Sequence, residues 1–280
     1  MIEYAQKKGK MVKNMLNNIT MELKNRGYNA EITTVVKNGV EKKGISIGNG
    51  NIRPTIYPDL TKTLDECVNE IINTYENMTE NLYDVSKITS WEYAKDNLMI
   101  CLQKKSNELI LKRDFLDLEM YVRVDVSTGG TYKVKPNMFK DVSDDEVIAR
   151  ALFNTEKNTT VDSMAKVIAE MMGCDIEEVP IDNNSIVVTN KAKTYGAGAI
   201  CNKKILREVA NEYASNLIII PSSIHECLLY CSSDDEPDMD AFTAMVCEVN
   251  ENEVIPEEVL SDHAYFYNRE TDKITFEMTY

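Results

Sequence analysis

Between Glu208 and Asn268 the sequence has no lysine and no arginine, although 14 aspartates and glutamates fall in the same span. This absence argues against direct nucleic-acid binding by that region, because affinity for a phosphate backbone comes largely from Lys and Arg. Long apolar runs are missing too: those present, such as Leu217–Ile220, are strand-sized and far short of a bilayer span. Only two histidines occur, His225 and His263, so imidazole chemistry has two places to be. There is no G-x-S-x-G elbow, no P-loop, no internal repeat and no low-complexity tract. The N-terminal run MIEYAQKKGKMVKNML lacks an apolar h-region and a small-residue cleavage site, from which a cytoplasmic location is expected. The seven cysteines are an odd, scattered set, expected to be free thiols and not a disulfide framework.

What is present is a globular composition. The 280 residues are 43% hydrophobic and 28% charged, enough to bury a sizeable core. The net charge of −15 is unevenly spread. Residues 1–62 hold 11 Lys/Arg against 5 Asp/Glu, a net of +6, which leaves −21 for residues 63–280. An acidic face of this kind keeps a protein soluble, and it also suits a basic protein partner.

Periodicity predicts a helix from Ile2 to about Arg26, with Val12, Met15, Leu16, Ile19 and Leu23 at three- and four-residue steps and Gly27 ending it. Strands follow at Ala30–Val36, Glu41–Ile47 and Ile52–Tyr57, the first two joined by the hairpin signal Asn38-Gly39. Thr63 and Glu66 have capping-box spacing before a helix from Leu64 to about Asn77. Residues 82–112 read as mainly helical, with Glu108–Lys112 open to an extended form, Phe115–Val126 as a strand, Ser127–Gly130 as a turn and Thr131–Val134 as the return strand. Helices are expected from Asp144 to about Asn154 and over Val161–Met172. Beyond Ser185 the expected elements are a strand over Ile186–Thr189, a return strand over Gly196–Cys201 and a helix over Lys204–Ala214. Strands at Leu217–Ile220 and Ile224–Cys231, a helix over Met239–Glu248 and a hairpin of Tyr265–Tyr267 with Ile274–Phe276 complete the series. This strand–strand–helix–strand–strand–helix order is that of an α+β fold, antiparallel sheets with helices packed on them. A division into residues 1–112 and 113–280 is expected.

Several constellations carry chemistry in principle. A serine nucleophile needs a base to take its proton and an acid to orient the base. Ser222 or Ser223 with His225, an acid such as Glu226 or Asp262, and the second imidazole of His263 are the candidates for a hydrolase. The plainer reading is a Pro221-Ser222-Ser223 turn with His225 tying two strands together by local hydrogen bonds. Cys227 and Cys231 share a strand face with His225, but four strand residues span roughly 13 Å, too far for one ion. The alternating acids Asp234, Glu236, Asp238 and Asp240 lack the glycine and terminal glutamate of a calcium loop, and Asp238 or Asp240 serves equally as a helix cap. No metal and no cofactor are expected. Tyr195-Gly196-Ala197-Gly198 is a glycine-rich step better explained by close packing than by phosphate binding.

The runs IVVTN (Ile186–Asn190), YGAGAI (Tyr195–Ile200), IIIPSSIHE (Ile218–Glu226) and VLSDHAYFY (Val259–Tyr267) resemble an uncharacterised bacterial family common in anaerobic gut bacteria. NIRPTIY (Asn51–Tyr57) and FLDLEMYVRV (Phe115–Val124) are similar to its earlier parts. The resemblance implies one shared architecture and carries no catalytic residues with it.

The leading expectation is a non-enzymatic protein that binds a basic macromolecule through its acidic C-terminal surface, with Glu226, Asp234, Asp235, Glu236, Asp238 and Asp240 as contacts. The alternatives are the hydrolase just described and an acidic mimic of nucleic acid.

Overall fold

The computed structural model describes residues 2–49, 53–80, 88–126, 130–181, 184–232 and 237–276, with side chains from Met11 onward and not for residues 79–80. The chain forms two compact units, Met1–Ile88 with Val126–Gly130, and Thr89–Asp125 with Thr131–Tyr280.

In the first unit α1 (Ile2–Asn25) precedes a three-stranded antiparallel sheet of β1 (Ala30–Lys37), β2 (Val40–Ile47) and β3 (Thr55–Ile56), and α2 (Leu64–Glu80) follows. The apolar stripe of α1 places Leu16, Ile19 and Leu23 against Ile45, Ile47, Val68 and Ile71 in one core. Asn38 and Gly39 both have positive φ, 47° and 80°, as a two-residue hairpin turn of primed type requires. At α2 the capping box is complete: Glu66 N donates to Thr63 Oγ1, and Thr63 N donates to Glu66 Oε2 at 2.9 Å. Ile52 of the expected third strand lies outside the described residues; the rest of it pairs only over Thr55–Ile56.

The second unit starts with α3 (Trp91–Asn97), β4 (Leu98–Lys104), β5 (Lys112–Phe115), β6 (Leu118–Asp125) and β7 (Thr131–Lys133). The helical expectation for residues 82–112 holds over Trp91–Asn97 and fails from Leu98 onward. β4 pairs with β6 along its whole length, from Leu98↔Val124 to Lys104↔Leu118. Leu98–Gln103 is buried on both faces, so it shows neither the helical nor the alternating period, and only the partner strand decides its form. Residues 81–87 and the turn residues Ser127, Thr128 and Gly129 lie outside the described residues.

Next come α4 (Asp144–Asn158), β8 (Thr159–Ser163), α5 (Met164–Met172), β9 (Ser185–Asn190), a 3₁₀ turn over Gly196–Cys201, α6 (Lys203–Glu212), β10 (Asn216–Ile220), β11 (Cys227–Ser232), α7 (Met239–Asn252), β12 (Tyr265–Asn268) and β13 (Lys273–Thr275). Two further expectations are corrected. Val161 belongs to strand β8, and α5 begins only after Ser163, whose hydroxyl accepts from Lys166 N. The β-branched run Thr159-Thr160-Val161 suits an edge strand better than a helix. The supposed return strand Gly196–Cys201 is the 3₁₀ turn. A Cβ at Gly198 would lie 2.2 Å from Ile100 O, so this turn sits on the backbone of β4 more closely than a side chain allows.

The six-stranded sheet runs β13-β12-β10-β11-β9-β8, and its defined strand pairs are antiparallel. Alternation on β10 explains its wholly apolar sequence. Leu217 and Ile219 enter the core that holds Ile205, Leu206 and Val209 of α6. Ile218 and Ile220 enter a second cluster with Val246 and Phe242 of α7. Both faces are covered by helices, so neither needs polar residues. The fold is α+β, with antiparallel sheets and helices packed on them.

Candidate functional site

The loop between β10 and β11 is held by its own residues. Ser223 Oγ accepts from His225 N at 3.0 Å, a local turn of the kind serine makes readily. Ile224 N donates to Glu258 O at 2.9 Å. The His225 carbonyl accepts from Gly196 N at 2.9 Å and from Thr189 Oγ1 at 2.7 Å. Its ring is equally engaged: Nδ1 accepts from Tyr195 N at 3.0 Å, and Nε2 lies 3.2 Å from Glu258 Oε1. An Nδ1 that accepts from a backbone N–H carries no proton, so the neutral ring has its hydrogen on Nε2, facing the glutamate.

Tyr195 reaches this position with φ 54°, a left-handed conformation uncommon for a bulky residue. Its ring centre is 5.5 Å from the His225 ring, and the Arg123 guanidinium is 4.6 Å from the Tyr195 ring centre. Arg123 is itself buried, with Nε 2.7 Å from Asp125 Oδ1. Burial pushes the Asp125 carboxyl up despite that cation. Gly196 is required sterically: a Cβ there would lie 2.6 Å from Asn190 N and 2.7 Å from His225 O. The result is a chain of contacts, Asp125–Arg123–Tyr195–His225–Glu258, drawn from four segments, with Arg123 and Asp125 both on β6.

The second histidine repeats the local device. Ser261 Oγ accepts from His263 N, again at 3.0 Å. Here, however, the serine hydroxyl donates onward to Asp117 Oδ2 at 2.7 Å, while His263 Nδ1 is 3.2 Å from the same oxygen. The Tyr265 hydroxyl donates to Asp117 Oδ1 at 2.6 Å. Burial, then the Asp117 charge, pushes that phenol far above its ordinary range. Asn250 Nδ2 of α7 closes the far side, 2.9 Å from both Ser261 O and Asp262 Oδ1. Asp117 is delivered by the two-residue turn between β5 and β6, where Leu116 takes φ 57°. His263 Nε2 has no hydrogen-bond partner among the described residues, and the side chain is 26% exposed.

The sequence candidates therefore separate. Ser223 meets the backbone of His225, not its ring, and the ring nitrogens face Tyr195 and Glu258. His263 belongs to a different network, bonded to Asp117. Glu226 lines a small cleft of about 80 Å³ with Thr189, Asn190 and Lys193. Asp238 caps α7, its Oδ1 accepting from Ala241 N at 3.1 Å. Asp240 is exposed, and Asp234, Asp235 and Glu236 lie outside the described residues. Burial pushes the Cys231 thiol up to about 11 and the Cys227 thiol higher still. Neither is a thiolate ready for a metal, and no group of potential metal ligands occurs among the described residues.

Asp117, Glu258 and Arg123 escaped the sequence reading. Ser-x-His occurs twice, in PSSIHE and LSDH, and that repetition was the one signal that could have linked the two loops. The acidic partners come from distant segments with no spacing rule to find them.

A third feature is the outer side of α7. Asp240, Ala241, Ala244, Met245, Glu248 and Val249 are exposed, and Glu251 and Glu253 continue the surface. Asp240, Glu248, Glu251 and Glu253 have no ion-pair partner among the described residues. Seven acids within residues 92–170 contrast with this: Glu92, Asp96, Glu108, Glu119, Asp145, Glu156 and Asp162 each meet a Lys or Arg.

The architecture defines an α+β protein of two units whose second unit joins two antiparallel sheets through paired Ser-x-His turns. The chain belongs to a family of unknown function, DUF5688, whose model matches residues 9–269. No curated protein and no solved structure matches it.

Proposed function

We propose that the protein works without chemistry of its own, by binding a basic macromolecule through the exposed side of α7 and the residues that follow it. The observation that carries this reading is the row of exposed, unpaired acids Asp240, Glu248, Glu251 and Glu253, in a span that contains no Lys or Arg. Met245 and Val249, 41% and 40% exposed, supply apolar contact between the charges. Complementary charge steers encounter and sets partner choice, while apolar anchors hold the complex. No described helix is long and apolar enough to cross a membrane, and we place the protein in the cytoplasm. A partner that itself binds DNA would make the acidic face a nucleic-acid mimic.

The test is fluorescence anisotropy with a labelled, lysine-rich amphipathic helical peptide over a range of salt. Binding is expected to weaken steeply with salt and to be lost in Glu248→Lys/Glu251→Lys. Reversal of the equally exposed pair Glu177 and Glu178 should leave it intact. Salt-insensitive binding, or equal loss in both double variants, overturns the reading.

A second reading, an enzyme, draws on His263. Its Nδ1 faces a carboxylate and its Nε2 has no protein partner, which is how a general base is presented. No serine hydroxyl approaches that nitrogen among the described residues, so a hydrolase of this kind would activate water. Hydrolysis of activated esters and phosphoesters abolished by His263→Gln, with the fold retained, is the result that would favour it.

A further inference from the structure

A groove of about 540 Å³ runs between α3 and α4, lined by Trp91, Lys95, Glu146, Ala149, Arg150 and Phe153. It shares no residue with α7 and differs in chemistry, so it stands independently of the function proposed above. On α4 the positions 146, 149, 150, 153 and 157 recur at three- and four-residue steps and form one stripe. On α3 Trp91 and Lys95 are one turn apart and face the same groove. The twelve residues from Glu146 to Lys157 extend the stripe over roughly 16 Å, about three turns.

The walls are fixed before anything binds. The Trp91 ring packs edge-on against Phe139, 5.4 Å between centres. Arg150 Nε donates to Lys95 O at 2.8 Å, and Asn154 Nδ2 donates to the same carbonyl at 2.9 Å, pinning the end of α3 to α4. Phe153, by contrast, is 46% exposed, a large apolar side chain left open to water. Positive charge gathers around it: the Arg150 guanidinium is 5.3 Å and the Lys157 ammonium 4.4 Å from its ring centre. Lys95 and Arg150 are partly committed to Glu92 and Asp96. Lys157 is exposed and has no ion-pair partner among the described residues.

We infer that this groove seats a short amphipathic helix of an acidic partner protein, one large apolar side chain entering between Trp91 and Phe153 and acidic residues lying over Arg150 and Lys157. Two helices side by side leave a furrow that a third helix fills, with anchors one turn apart. Cations around an aromatic anchor select acidic flanks, since a basic helix would meet Lys157 and Arg150 with like charge. Glu146, at the far end of the stripe, favours a single basic residue there and so sets the direction of the bound helix.

Trp91 is the chain's one tryptophan, so its emission reports the groove directly. The full chain is titrated with a synthetic acidic helical peptide that carries one central leucine and no tryptophan or tyrosine. A saturable change in Trp91 emission is expected, weakened about ten-fold or more in Phe153→Ser and similarly in Lys157→Glu. The second variant changes only an exposed charge and keeps the test alive if Phe153→Ser alters the fold, which far-UV circular dichroism reports. The central-leucine-to-alanine peptide should bind poorly. No emission change, an equal response to a lysine-rich peptide, or undiminished binding by Lys157→Glu overturns the inference. An equal saturable response to phenylacetate alone would make the groove a small-molecule site and overturn it as well.

Discussion

Ser223-Ile224-His225 and Ser261-Asp262-His263 are built alike and wired differently. In both, the serine oxygen accepts from the histidine N–H two residues on, at 3.0 Å, just before a strand of the same sheet. At His225 every polar atom of the ring is committed, Nδ1 to a backbone donor and Nε2 to Glu258. At His263 only Nδ1 is engaged, by a carboxylate that already holds Ser261 and Tyr265. A shared local turn thus says little about role. The role follows from what the third dimension brings to the ring: a backbone N–H makes the first histidine a structural tie, and a carboxylate leaves the second with an outward nitrogen.

The harshest test of the first network is Gly196→Ala. The new Cβ would meet two backbone atoms within 2.7 Å, neither of which can swing away, and a loss of about 3 kcal/mol is expected in urea denaturation. Asp117→Ala attacks the second network with a comparable but smaller effect. It strands the hydroxyl of fully buried Tyr265 and that of Ser261, for about 2–3 kcal/mol. Next is His225→Ala, which orphans the Tyr195 N–H and should cost about 2 kcal/mol. His225→Asn places an amide oxygen near the Nδ1 position and should recover much of that loss. If Asn is no better than Ala, the Tyr195 bond is not what matters. His263→Gln should cost least, about 1 kcal/mol or less, because Asp117 keeps two other donors and the ring is partly exposed. A loss as large as that of His225→Ala would erase the distinction between the loops.

A pH series sharpens the same contrast. Folded Tyr265 holds its proton beyond the pH at which an unfolded tyrosine releases it, about 10. Its contribution to stability is therefore complete below pH of about 10 and declines as pH rises above that. Tyr265→Phe should flatten the alkaline decline without abolishing it, since Tyr267, whose phenol burial pushes up to about 12, remains.

Much of the fold was legible where one period or one turn chemistry acts alone. The stripe of α1, the Asn38-Gly39 hairpin and the Thr63/Glu66 capping box are each local, and each is present. The reading failed at β4 and at Gly196–Cys201. There the segments are buried on both sides, and a wholly buried run carries no period to read. The candidate site divided in the same way. The local bond between Ser223 and His225 could be read from residue type, but Tyr195, Glu258 and Asp117 could not, since they arrive from segments 30, 33 and 146 positions away.

By itself the sequence determined the distribution of charge, the α+β character, the Asn38-Gly39 hairpin, the helix start at Thr63 and Glu66, and the acidity of the span that contains both histidines. Those depend on residue type and short spacing, which no packing can alter. Tertiary structure alone decided which nitrogen of each histidine is engaged, which acids go unpaired, and that Trp91 and Phe153 border an open groove. Each of these is a contact between distant segments, and a contact's energy depends on distance and burial, neither of which the order of residues contains.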